Sequence, residues 1–113
     1  MTVGAAAAGT LRIGGELDVA RLGYGAMRLT GQPGNWGPCP DPAQGIRVLR
    51  RAVELGVTLI DTAHAYGPGF NEALIAEALH PYPDGLVITT KCGIAKVGPG
   101  IMYRDGRPKA IRT

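Results

Sequence analysis

The sequence predicts an α/β protein built on a parallel sheet, and three observations carry that expectation. Two short alternating segments flank Gly14-Gly15 near the start. From there the pattern runs strand, helix, strand, helix, strand. The last of these strands, Leu86-Val87-Ile88-Thr89-Thr90, is a nearly continuous apolar run, which suits a strand covered on both faces. Alternation of this kind gives parallel strands joined by right-handed crossovers. Two architectures satisfy it, a doubly wound sheet and the opening of an eight-stranded barrel.

Taken in order, Leu11-Arg12-Ile13 and Leu17-Asp18-Val19 alternate apolar and polar residues around the glycine pair and predict a tight hairpin. A short strand over residues 22–26 follows, then a loop over 30–40 rich in glycine and proline. Asp41-Pro42 predicts a helix start, with Asp41 as cap, Pro42 at the first helical position and Gln44 placed for a capping box. Ile46, Val48, Leu49, Ala52, Val53 and Leu55 supply one broad apolar face. Gly56 ends that helix in the left-handed conformation glycine adopts without steric cost. Val57-Thr58-Leu59-Ile60 is the next strand and ends on Asp61. A second helix is expected to start with Asn71 as its cap and Glu72 in its first turn, where the helix dipole favours a carboxylate. Leu74, Ile75, Ala78 and Leu79 form its buried side, and Pro81-Tyr82-Pro83 closes it. The strand over 86–90 leads to Lys91, beyond which a loop is expected, with a helix beginning at Pro108. Residues 1–9, rich in alanine and glycine, are expected to be disordered.

Composition narrows the function classes. The chain has 113 residues, 45% of them hydrophobic and 19% charged, which is a globular composition and amounts to one domain at most. The net charge of +3 is carried partly by Arg104, Arg107, Lys109 and Arg112 rather than by a helical stripe. Aromatics are only 5% of the chain, so no nucleic-acid partner is expected. No apolar run approaches the roughly 20 residues of a membrane span, and no membrane partner is expected either. Cys39 and Cys92 are isolated, which points to two reduced thiols rather than a metal or redox pair. With a start that makes a poor signal peptide, the expected compartment is the cytoplasm.

The chemical signal lies in Asp61-Thr62-Ala63-His64-Ala65-Tyr66-Gly67 together with Lys91. In either architecture, function gathers where parallel strands end. Asp61 and Lys91 close successive strands, and neighbouring strands lie about 4.8 Å apart, close enough for carboxylate and ammonium to meet. Tyr66 follows on the same rim. An adjacent ammonium favours phenolate, and a phenol so tuned is suited to general acid chemistry. Singly, each residue has a plainer reading: Asp61 as a loop cap, Tyr66 as a packed aromatic, Lys91 as a solvated lysine. Their joint placement favours the functional one. His64 fits a solvated or supporting role better than a catalytic one, and His80 fits a helix C-terminus. Gly23-Tyr24-Gly25-Ala26-Met27-Arg28 lacks the third glycine of a dinucleotide fingerprint and opens no helix. Its small residues suit either a tight bend or the approach of a flat ligand.

The segments Leu22-Gly23-Tyr24-Gly25-Ala26-Met27-Arg28, Asp61-Thr62-Ala63-x-x-Tyr66-Gly67 with Asn71-Glu72, and Val87-Ile88-Thr89-Thr90-Lys91 resemble the aldo-keto reductases, the bacterial-type members in particular. The resemblance implies an α/β fold that is the amino-terminal portion of a (β/α)8 TIM barrel, an N-terminal β-hairpin plugging its bottom, with about three of the eight strands in this chain. Residues 1–113 are then one incomplete domain. It also implies NADPH as cofactor and a small-molecule aldehyde or ketone as substrate. Tyr66 becomes the proton donor, Lys91 the group that depresses its pKa, and Asp61 the partner of Lys91 that also reaches the nicotinamide ribose. Gly25, Met27 and Arg28 line the nicotinamide end. The family's catalytic histidine closes a fourth strand and matches neither His64 nor His80. The expectation is therefore a fragment that is inactive alone. The alternative is a non-catalytic half-barrel that associates with another chain, self-association through open sheet edges included.

Overall fold

The computed structural model describes residues 3–112. The predicted hairpin is present: β1 (Thr10–Ile13) pairs antiparallel with β2 (Leu17–Ala20), Ile13 opposite Leu17. Arg12 and Asp18 form an exposed cross-strand ion pair at 2.8 Å. The hairpin does not float. The Ala20 N–H donates to the Thr58 hydroxyl at 2.8 Å, which fixes the end of β2 at the amino-terminal end of the following parallel strands.

Those strands are β3 (Tyr24–Gly25), β4 (Leu59–Asp61) and β5 (Val87–Thr89), in the order β3-β4-β5, all parallel. They are shorter than the sequence segments, but their pairing continues past the regular ladder. The Ala26 N–H donates to the Asp61 carbonyl, and the His64 N–H to that of Lys91. Register decides what shares a face. Tyr24, Ile60 and Ile88 point into the core, while Gly25, Asp61 and Thr89 stand in a row on the opposite face.

Two helices cover the core face. α1 (Pro42–Glu54) begins as predicted, with the Asp41 carboxylate accepting the Gln44 N–H at 3.1 Å. The capping box is half-formed, because the Gln44 side chain accepts from Arg47 instead of reaching back. Gly56 takes φ 95° just past the helix, a value that strains any residue with a Cβ. α2 (Phe70–Leu79) packs against α1. Leu49, Ile60 and Ile75 are the largest apolar side chains with essentially no exposed surface, and they centre a single core shared by sheet and helices. Arg50 of α1 reaches across to donate to the Ala78 carbonyl at 2.9 Å, near the end of α2.

Three expectations are corrected. The start is not disordered throughout. Residues 1 and 2 lie outside the described residues, but Ala5–Ala8 form a 3-10 turn, with Ala5 buried and its N–H donating to the Leu55 carbonyl. Gly4 lets that turn lie against the end of α1, because a Cβ there would come within 2.9 Å of the Leu55 carbonyl oxygen. Second, residues 92–107 are not a loop. β6 (Ile94–Gly98) and β7 (Ile101–Arg104) form a second antiparallel hairpin around Pro99-Gly100. Third, Asn71 does not cap α2. That helix starts from Gly69 at φ 79°, and Asn71 lies inside its first turn with no exposed surface. The helix expected at Pro108 is present as α3 (Pro108–Arg112). Among the described residues, no helix is long and apolar enough to cross a membrane.

Candidate active site

The site grows from the carboxyl ends of β4 and β5. Asp61, the last residue of β4, and Lys91, two residues beyond β5, meet as predicted. The Lys91 Nζ donates to both carboxylate oxygens at 2.8 and 2.9 Å and to the Thr62 carbonyl at 2.8 Å. The Thr89 hydroxyl adds a fourth contact, donating to Asp61 Oδ1 at 2.8 Å. Each charge moves the other's protonation. The Lys91 ammonium holds the Asp61 carboxyl below its usual range, and the Asp61 carboxylate pushes Lys91 above its own, with the Tyr66 phenol adding in the same direction. Both side chains are about half exposed, so the pair is an orienting device rather than a strong stabiliser.

Tyr66 completes the predicted trio. A turn closed by the Tyr66 N–H on the Ala63 carbonyl brings its ring to 5.4 Å from the Lys91 Nζ. This turn is clamped from outside. Gly67 pairs with the loop before α1, donating to the Asn35 carbonyl at 3.0 Å and accepting the Gly37 N–H at 2.8 Å. Tyr66, Lys91, Ile94 and Met102 are among the walls of a cavity of about 220 Å3 roofed by the second hairpin. A wider and more open cavity of about 820 Å3 adjoins it on the far side of Lys91, bounded by His64, Glu72, Asp105 and Arg107. The His64 side chain is exposed and pairs with Glu72, its Nδ1 3.7 Å from Glu72 Oε1, while its backbone N–H donates to the Lys91 carbonyl. His80 is the C-cap of α2.

Gly25, Met27 and Arg28, predicted to line a cofactor site, fall on the same rim. Gly25 is in register with Asp61, Met27 is 41% exposed, and Arg28 is exposed. A Cβ at Gly25 would meet nothing within 4 Å, so the surface beside the Asp61 carboxylate is flat and open. A planar ring with a hydroxylated sugar fits such a place: bare backbone and thioether for the ring, a carboxylate for the hydroxyl.

The residue that sequence reasoning misplaced is Asn71. Its Nδ2 donates to the carbonyls of Ala26 and Leu29 at 2.8 and 2.9 Å and approaches the Thr30 hydroxyl at 3.1 Å. Its Oδ1 accepts from the Thr62 hydroxyl at 2.6 Å. One buried side chain therefore ties the turn carrying Met27 and Arg28 to the residue after Asp61.

The sequence profile of the Aldo/keto reductase family matches residues 21–113. An uncharacterized oxidoreductase of Schizosaccharomyces pombe is 44% identical over 110 residues, covering 97% of this chain and 35% of that protein. The pyridoxine 4-dehydrogenase of Escherichia coli is 53% identical over 79 residues, 70% of this chain and 27% of that protein. Among solved structures, the glycerol dehydrogenase of Gluconobacter oxydans superposes with a TM-score of 0.77 at 35% identity, covering 94% of this chain and 33% of that one. The matched part of the chain spans between about a quarter and a third of the length of these proteins.

Proposed function

Because the chain belongs to the aldo/keto reductase family, we propose that it carries the proton-donating part of a carbonyl reductase, with Tyr66 as the acid. The observation that carries this reading is the Tyr66–Lys91–Asp61 arrangement: a phenol ring 5.4 Å from an ammonium that is itself fixed by two carboxylate contacts and a carbonyl. The nicotinamide cofactor, NADPH by family resemblance, supplies hydride when bound.

The residues act in a definite order. Tyr66 donates its hydroxyl proton to the carbonyl oxygen of an aldehyde or ketone as negative charge develops there. Lys91 then faces the phenolate left behind and stabilises it. Asp61 keeps Lys91 protonated and immobile, so the cation is in place before charge appears, which is how a preorganised site lowers a barrier without reorganising at the moment of reaction. Asp61 also accepts from a ribose hydroxyl, while Gly25, Met27 and Arg28 receive the flat ring beside it. Solvent returns the proton to Tyr66 after product leaves.

The family's remaining catalytic and cofactor-gripping groups belong to other parts of the fold, so the 113-residue chain alone is expected to turn over no substrate. The test is a chimera in which this chain replaces the matching third of the Escherichia coli pyridoxine 4-dehydrogenase. Consumption of NADPH and of NADH is followed by absorbance with a panel of aldehydes and ketones. Tyr66→Phe in that chimera should lower kcat/KM by about 10²–10⁴-fold, the range for loss of a positioned acid. Turnover unaffected by Tyr66→Phe overturns the assignment.

A further inference from the structure

Lys96, on β6, is the one charged residue among the described residues that is almost wholly buried, with 9% of its surface exposed. It lines the 220 Å3 cavity together with Tyr66 and Lys91. Its Nζ donates to two backbone carbonyls, Gly34 at 2.7 Å and Asn35 at 3.1 Å. The Asn35 carbonyl is presented by a left-handed backbone, φ 53°, in a loop braced by the Gln32 amide on Asn35 Oδ1. An ammonium has three donors, so one remains. No carboxylate among the described residues pairs with Lys96.

The charge balance of the cavity follows. Lys91 is neutralised by Asp61. Lys96 is not neutralised at all, and the walls include two lysines and no acidic residue. Ala63, Ala65, Ile94 and Met102 make much of the remaining wall apolar. A buried cation in such surroundings is costly unless an anion completes it. Its field is also weakly screened there, so an anion gains more than it would at the surface.

We propose that Lys96 is the specificity-determining residue of this cavity and that it receives the anionic substituent of the substrate, making the preferred substrate a carbonyl compound that also bears a carboxylate or phosphate. The inference rests on the proposed reductase reading, since it places the carbonyl end at Tyr66 and the anionic end at Lys96. Both groups line one cavity, so a single small molecule spans them.

The test uses the chain as it is and needs no turnover. Trp36 is the only tryptophan and adjoins Asn35, so its fluorescence reports on the Lys96 end. Binding of levulinate (4-oxopentanoate) is compared with that of its methyl ester, which keeps the ketone and removes the charge. Levulinate should bind at least about tenfold more tightly than the ester, the worth of one hydrogen bond to a charged group. Lys96→Met should bring that ratio to about one, and Lys96→Arg should keep most of it. A purely structural lysine behaves differently: its loss loosens the 31–37 loop and weakens both ligands equally, leaving the ratio intact. An unchanged ratio in Lys96→Met, equal binding in the parent, or no levulinate response at all overturns the proposal. Tyr66→Phe should leave the ratio unaltered, so failure of the chimera assay and failure here are separate results.

Discussion

Replacing Asn71 separates two accounts of the same residue. If it were a helix cap, Asn71→Asp would cost nothing and would gain from the helix dipole, about 0.3–1 kcal/mol. The structure gives the opposite expectation. Asn71 both accepts and donates inside the protein, and a carboxylate keeps the bond from Thr62 but sets a second oxygen against the carbonyls of Ala26 and Leu29. Asn71→Leu, branched at the same atom but bulkier, removes every contact. Ala26 keeps the N–H of Leu29 as a partner, but the Leu29 carbonyl and the hydroxyls of Thr62 and Thr30 keep none. At about 1–3 kcal/mol for each buried group left unmatched, the loss is roughly 3–9 kcal/mol, a large share of the 5–15 kcal/mol typical of a domain. Urea unfolding followed by far-ultraviolet circular dichroism measures it, with Asn71→Asp and Asn71→Leu beside the parent. Both variants should unfold at markedly lower urea. An Asn71→Asp midpoint equal to or above that of the parent would refute the buried-tie account and restore the cap.

The Asp61–Lys91 pair should leave a pH signature in stability. Asp61 titrates below its ordinary 3.8 in the folded state, so its contribution is present above that value and fades as pH falls through the lowered one. Lys91 titrates above 10.5, so its contribution is present below that value and is lost as pH rises past the raised one. The difference in urea midpoint between parent and Asp61→Asn should therefore be flat from weakly acidic to weakly alkaline pH and shrink at both extremes; a difference growing towards acid would contradict the pairing. Carboxyl NMR should find Asp105 titrating at about 2, held there by the Arg107 guanidinium, and Arg107→Gln should return it towards the ordinary range. An Asp105 midpoint that ignores Arg107→Gln would show that the 2.8 Å pair does not persist in solution.

Much of this architecture was legible because the signals were local. Gly14-Gly15 between alternating segments specified the first hairpin, and Asp41-Pro42 with Gly56 bracketed α1. The meeting of Asp61 with Lys91 needed one further step, since two apolar runs joined by a helix make parallel neighbours whose ends coincide. The second hairpin escaped for a physical reason. Its apolar residues Val97, Ile101, Met102 and Tyr103 stay exposed, so β7 buries neither face and shows no alternation. The signal that could have found it is Pro99-Gly100 between two β-rich segments. Asn71 was misread because its surroundings in the sequence look the same for a cap and for a buried tie. The four residues it contacts lie 9 to 45 positions away, and no local pattern announces them. The turn over Ala5–Ala8 depends likewise on a distant partner, the Leu55 carbonyl.

The reach of Arg50 to the Ala78 carbonyl has a consequence for how sequence is apportioned between the helices. α2 has no basic residue in its last turn, and it is there that a helix most benefits from positive charge. The guanidinium at that end is supplied from α1, twenty-eight positions upstream. Part of the stop signal of one helix is thus written in the other. A substitution at position 50 therefore takes a partner from the last turn of α2 while leaving the sequence of α2 unchanged.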